Sequence, residues 1–382
     1  MSKLNVLILA TRDWYHPETT GGDNTIWEQA RYLAWAGHSV TMVTAAYRAA
    51  ARQEVVDGIR VVRLGGIHSL WFRTFVYYMT RCRGRFDVVI TEGFGGSRIP
   101  RLAPLYVKEP IITEWHQIHR DLFAAQYPKV LGGPLNLLER MTAWVHRNTV
   151  VRAGTEDWRR AFPSIGFKPE NVFVLPVSIR DDWLGESPNG HGTVRKPVIL
   201  WLGKFRRYKC PHDAVRAMDE VIRRVPDATL ILAGRHDDRQ YERSLGDLAE
   251  QLGIATHVEF RFDLDEEEKR SLLRSTSLLV VPSAVEGFGV VVLEANAFGV
   301  PVVASSRVPE GAVQDGYNGL KYQFGEVGSL ADAMVRLLTD DELHERLSRN
   351  AHTFAQQFGW QRVGGQLERI VTQVARTGLV AE

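Results

Sequence analysis

The chain has 382 residues, of which 45 % are hydrophobic and 24 % charged; this excludes a disordered polypeptide and makes two globular domains the expectation. No apolar run is long enough to cross a membrane as a helix, and two cysteines, Cys82 and Cys210, are too few for a disulfide or metal framework and fit a reducing cytoplasm. The net charge of +2 hides an imbalance: residues 1–180 hold 23 Lys and Arg against 15 Asp and Glu, so the remainder is acidic.

In chain order, the first ten residues look superficially like a signal peptide, but the apolar stretch is short and runs into Thr11-Arg12-Asp13, so it reads as a buried first strand. Strands are expected at Asn5–Ala10, Ser39–Thr44, Arg60–Leu64, Val88–Thr91, Ile111–Trp115, Thr149–Arg152 and Val172–Val177, with a helix over Asn24–Ala36. A second series follows at Val198–Leu202, Thr229–Ala233, Val258–Phe262, Leu278–Val281 and Val302–Ala304. Strands alternating with helix-like segments predict parallel sheets, α/β in class. The stretch Gly185–Pro197, rich in Gly, Pro and polar residues, is the most linker-like, and the two domains are expected to join near residues 181–197. The expected organisation is a first Rossmann-like domain over 1–183, a second over 184–355 and a terminal helix over 356–382 packing back on the first.

The most informative segment is Ser283-Ala-Val-Glu286-Gly287-Phe288-Gly289-Val290, followed by Glu294. An apolar strand leads into it and a helix leaves it, so its glycines expose backbone amides where a helix dipole favours phosphate. Glu286 is suited to sugar hydroxyls, and Glu294, about two turns further on, to another part of the same ligand. Taken alone, the segment equally fits a plain helix entry with a solvated glutamate. Gly203-Lys204-Phe205-Arg206-Arg207-Tyr208-Lys209-Cys210 follows another strand, and cations at that end of a parallel sheet neutralise a diphosphate. Gly21-Gly22 after the first strand allows close backbone approach to a ligand, and His116 at a strand end can meet a substrate hydroxyl or carry a proton. Glu114, His116 and His119 lack metal-site spacing, while Asp237-Asp238 and Asp263 to Glu268 read as helix-start acids and solvated faces. Trp71 to Arg85 interleaves aromatic and basic residues, as an interfacial anchor would, but a core helix with a basic end is the expected reading.

Together these segments resemble the family 4 glycosyltransferases of the GT-B fold. Glu286 and Glu294 match that family's paired-glutamate signature, Gly203-Lys204 to Lys209 its basic loop, and Gly21-Gly22 through Gly37-His38-Ser-Val40 its N-terminal pattern. His116, Gly299-Val-Pro-Val-Val303 and Gly316-Tyr-Asn-Gly319 fall in order with its remaining segments. The resemblance implies two Rossmann-like domains facing each other across a cleft and a retaining, metal-independent hexosyltransferase. It implies catalytic roles for His116, Glu286 and Lys209. Donor contacts would come from Gly22, Lys204, Arg206, Lys209, Gly287, Phe288, Gly289, Val290 and Glu294. No cofactor is expected beyond the nucleotide-diphosphate sugar, UDP- or GDP-linked, that serves as donor substrate. The acceptor would be a saccharide, lipid-linked or a natural product. A cytoplasmic location is expected, with peripheral contact at the inner membrane face left open by the basic front half, and nucleic acid is not an expected partner. Departures from the pattern are Cys210 in place of a glycine, a shortened Ser305–Glu310 and an altered Val177–Asp182. A nucleotide-sugar epimerase on the same fold and a non-catalytic sugar-nucleotide binder are the alternatives.

Overall fold

The computed structural model describes residues 2–48, 50–94, 100–126, 128–185 and 196–379. The chain divides into two compact units: residues 1–123, 127–178 and 360–382 form unit 1, and residues 124–126 and 179–359 form unit 2.

Unit 1 is built on eight strands: β1 (Asn5–Leu9), β2 (Ser39–Thr44), β3 (Gln53–Val56), β4 (Ile59–Arg63), β5 (Val88–Glu92), β6 (Ile111–Glu114), β7 (Val150–Ala153) and β8 (Val172–Val174). Their order is β3-β4-β2-β1-β5-β6-β7-β8. All pairings are parallel except β3 with β4. That hairpin was not anticipated, although its signal is present. Asp57-Gly58 adopts positive φ at both residues (+51° and +78°), as a two-residue turn between strands of right-handed twist requires.

Unit 2 carries β9 (Val198–Leu202), β10 (Thr229–Gly234), β11 (Val258–Phe262), β12 (Leu278–Val281), β13 (Val302–Ser305) and β14 (Gly319–Tyr322), all parallel, in the order β11-β10-β9-β12-β13-β14. The edge strand β14 was likewise not expected; it begins at Gly319, where a Cβ would lie 2.2 Å from the Val302 carbonyl oxygen. In each sheet the strand order reverses beside the first strand, between β1 and β5 and between β9 and β12. Ligands of such sheets bind beyond the carboxyl ends of the strands at that switch point.

The unit boundaries fall at 178/179 and 359/360 rather than the expected 183/184 and 355/356. The reason is local pairing: the Ile179 amide donates to the Phe358 carbonyl at 2.9 Å, and Trp183 packs edge-on against Phe298. The expected linker lies mostly on residues 186–195, outside the described residues. The last helix, Trp360–Thr377, belongs to unit 1, where Val363, Leu367, Val371 and Val374 join the core formed by β1, β2 and helix Gly21–Trp35. Its close approach needs Gly364, since a Cβ there would sit 2.2 Å from the Tyr32 ring.

Candidate active site

In unit 2 the loops after β9 and β12 flank the switch point, and the Ala284 amide joins them by donating to the Tyr208 carbonyl at 2.8 Å. This backbone staple brings Lys209 and Glu286 together across 77 residues: Lys209 Nζ lies 2.6 Å from Glu286 Oε1. Burial opposes the Lys209 charge, but Glu286 and Tyr208 outweigh it and raise its pKa, so the ammonium persists. Ser283 Oγ donates to the same Oε1 at 2.9 Å, and Ser305 Oγ fixes the Ser283 carbonyl at 2.6 Å. Among the described residues the other Glu286 oxygen has no protein partner, so it stays open to a ligand hydroxyl on a rigidly held carboxylate.

Gly289 adopts φ +96° and starts helix Val290–Ala297, as a residue without a Cβ can. The helix's first amides lack intrahelical acceptors, which suits an anion. Glu294 stands about one turn into this helix, not two turns beyond Glu286, because the helix begins only at Val290. It is not a solvated residue: Glu294 Oε1 pairs with Lys269 Nζ at 2.5 Å, and its Oε2 is buried without a partner. Lys269 came from an acidic helix with no local signal in the sequence; the fold alone identifies it. Asn318 explains the Gly316–Gly319 segment. Its side-chain amide donates to Asn296 Oδ1 and to the Ala312 carbonyl at 2.8 and 2.9 Å, tying β14 to the Glu294 helix.

Arg206 departs from expectation. It forms a bidentate pair with Asp237, at 2.9 and 3.0 Å, so Asp237 is a charge partner rather than a solvated helix-start acid. Asp238 and Asp265 do cap helices, accepting from backbone amides. Lys204 is half-buried in the same loop, and Gly287 and Phe288 lie beside Gly289. Cys210 takes the left-handed conformation (φ +51°, ψ 40°), one that glycine adopts most readily and that the resembled pattern fills with glycine. Among the described residues, Cys210, His212 and Asp213 alone place three ligand atoms within 4.8 Å. Burial pushes the Cys210 thiol up to about 12.

In unit 1, Gly22 and His116 meet. A Cβ on Gly22 would lie 2.8 Å from Cδ2 and Nε2 of the His116 ring, so the glycine makes room for the imidazole. The first turn is held by Asp23, which accepts from the Thr20 amide and hydroxyl at 2.7 Å each. Burial, with Arg152 and His119 nearby, lowers the His116 pKa to about 3. It is therefore neutral near pH 7, a hydrogen-bonding group rather than a proton carrier, and its Nε2 is buried without a partner. Glu114 is bound by Arg152 at 2.8 Å, and His119 by Glu139 at 2.7 Å. Arg152 was missed, yet an arginine inside the apolar run Thr149–Arg152 was a signal; two of its nitrogens are buried without partners. Glu92, at the end of β5, was missed as well. Burial and Asp23 push it up to about 7, and it accepts from the Thr11 amide at 2.7 Å.

Comparison with known proteins now decides the family. The profile of glycosyl transferases group 1 matches residues 186–354, and that of the glycosyl transferase 4-like domain matches residues 20–178. The chain belongs to the family 4 glycosyltransferases. It is 27 % identical to a phosphatidyl-myo-inositol mannosyltransferase of Mycobacterium leprae over 92 % of this chain and 90 % of that one. It is 35 % identical to a D-inositol 3-phosphate glycosyltransferase of Corynebacterium urealyticum, over 44 % of this chain and 41 % of that one. The chain thus matches less than half the length of that second relative. The glycosyltransferase matches in fold a sucrose-phosphate synthase from Thermosynechococcus elongatus, with a TM-score of 0.79 at 18 % identity over 97 % and 99 % of the two chains. It also matches Anabaena HepE, solved with UDP and glucose, with a TM-score of 0.76 at 19 % identity over 97 % and 100 %. The fold is GT-B.

Proposed function

We propose that this glycosyltransferase moves a hexosyl unit from a UDP- or GDP-sugar, with retention of configuration and without metal or resident cofactor, to a lipid-linked saccharide or a related polyol acceptor. The observation that carries this is the Lys209–Glu286 pair at the unit 2 switch point, with one glutamate oxygen open and a glycine-started helix beside it. In this reading Glu286 takes donor sugar hydroxyls, the amides from Gly287 to Val290 the sugar and phosphate, Lys209 and Lys204 the diphosphate, and Glu294 the ribose. Arg206 acts beside them through Asp237. Gly22 is assigned a donor contact, and neutral His116 a hydrogen bond to the sugar. The acceptor oxygen bonds to the anomeric carbon as the bond from that carbon to the phosphate oxygen breaks, and the departing diphosphate takes the acceptor proton. Fixed cations at the leaving group supply the main stabilisation. A lipid acceptor is favoured by the near-full-length likeness to a protein named for phosphatidyl-myo-inositol.

Screening nucleotide sugars by thermal shift tests the donor: a true donor at about 100 times its dissociation constant stabilises the fold by about 2–3 kcal/mol. Glu286→Gln and Lys209→Met should each cut transfer about 10²- to 10³-fold. Full activity in both variants would refute the site. Conversion of donor alone into another sugar nucleotide, with no acceptor required, would identify an epimerase instead.

A further inference from the structure

Helix Ile67–Tyr77 and the turn that continues it to Cys82 have two apolar faces. One, Leu70, Thr74, Tyr78 and Cys82 at four-residue spacing, is buried against the sheet. The other, Trp71, Phe72, Phe75, Val76 and Met79, is left in solvent, with Trp71 53 % and Phe72 55 % exposed. The expected core helix with a basic end is therefore a surface helix. Arg73, Arg81, Arg83 and Arg85 all stand exposed around the stripe, and no Asp or Glu occurs between Asp57 and Asp87. The nearby Glu109 is engaged by the Tyr78 hydroxyl and, at 2.7 Å, by the Gly84 amide. Tyr106 packs on Phe75 and extends the surface to exposed Leu105 and Lys108.

We infer that this face docks unit 1 on an anionic lipid bilayer, with the aromatic and aliphatic stripe entering the headgroup boundary and the arginines meeting lipid phosphates. The inference rests on the lipid-acceptor reading above and supplies its missing surface. Charge complementarity selects the occupant. A second copy would bring the same arginines face to face, and a nucleic acid would leave Val76, Met79 and Leu105 with nothing to stack on. An apolar helical face ringed by arginine is the composition of an interfacial anchor.

The test is flotation of the full chain with vesicles of equimolar phosphatidylglycerol and phosphatidylcholine, against phosphatidylcholine alone, at low and high salt. Binding should require the anionic lipid and weaken with salt. Arg81→Glu with Arg83→Glu, and separately Trp71→Ser with Phe72→Ser, should each weaken partitioning at least about tenfold. Thermal stabilisation by the donor nucleotide should be unchanged in both variants, since these side chains are exposed and distant in sequence from the donor loops. Wild-type binding that ignores lipid charge, or variants that partition as wild type does, overturns the proposal. So does a mass in light scattering that halves in Trp71→Ser/Phe72→Ser, or preferential capture of an oligonucleotide. Loss of nucleotide stabilisation in the wild type with vesicle binding intact would sink the donor reading and leave this surface standing.

Discussion

Unit 1 and unit 2 share an architecture and differ in what they leave unsatisfied. Among the described residues, all 17 large apolar side chains that remain exposed belong to unit 1, from Trp14 to Trp144 and Leu379. The same unit buries polar nitrogens without partners on Trp115, His116 and Arg152, and residues 1–180 carry a surplus of eight positive charges. In unit 2 the candidate site is internally paired: Lys209 with Glu286, Lys269 with Glu294, Arg206 with Asp237. Buried charges are tolerable when paired, and pairing also fixes geometry before a ligand arrives. The difference teaches where specificity resides. Unit 2 holds its charges largely in pairs, with Glu294 Oε2 left over, while unit 1 presents unpartnered nitrogens and apolar surface; under the proposed function the first serves the donor and the second the acceptor.

The comparison can be broken most sharply at Gly22. Adding one methyl in Gly22→Ala forces the His116 ring aside, so transfer should fall about 10²-fold, as a displacement near 1 Å does, while nucleotide binding to unit 2 is retained. Steady-state rates and nucleotide calorimetry on the same variant check both halves; a parallel loss of nucleotide affinity would contradict the separation.

A smaller effect is expected from pH. His146, wholly buried, takes the Thr113 hydroxyl at Nδ1 (2.8 Å) and meets the Arg101 carbonyl at Nε2 (2.5 Å), and burial lowers its pKa to about 4. A histidine whose folded pKa lies below the unfolded value of about 6.5 leaves the folded state with fewer protons, so stability drops as pH falls from about 6.5 toward 4. His116 and His16 act with the same sign in unit 1, and His212 in unit 2. Between about pH 6.5 and pH 5, His146 alone should remove about 2 kcal/mol, and His146→Gln should flatten that slope in urea unfolding. An unchanged slope would place the acid sensitivity elsewhere.

The smallest effect concerns Glu294. With Glu294→Gln the Lys269 pair and the buried oxygen's charge are lost, and nucleotide affinity should fall about tenfold, or about 1.4 kcal/mol, by calorimetry. Lys269→Met should give a similar loss if the lysine orients the glutamate, and none if it is a bystander.

The segments that declared themselves in the sequence were those whose chemistry is local. The helix start at Gly289, the basic loop ending at Lys209 and the glycine beside His116 each have a plain structural reading alone, and became legible because they occur together, each in a segment that follows a strand. Element ends shifted by a few residues, and the edge strands β3 and β14 were missed because each mixes polar residues or glycine into four positions, QEVV and GLKY, whereas the still shorter edge strand β8, VFV, is wholly apolar. Partners distant in sequence stayed hidden. Lys269 and Asp237 reach their partners through the sheet order, 25 and 31 residues away, and nothing near them in the chain announces it. The aromatic–arginine segment was misread for a related reason: apolar periodicity shows that a helix has an apolar face, and Leu70–Cys82 satisfies that while a second face stays in water.

The terminal helix has a consequence for synthesis. A ribosome delivers all of unit 2 before residues 360–377, so unit 2 can close while the first sheet still lacks the side chains of Val363, Leu367, Val371 and Val374 over its core. The unit begun first is finished last. Free chains truncated after residue 359 should therefore be cut by protease within residues 1–178 while unit 2 resists.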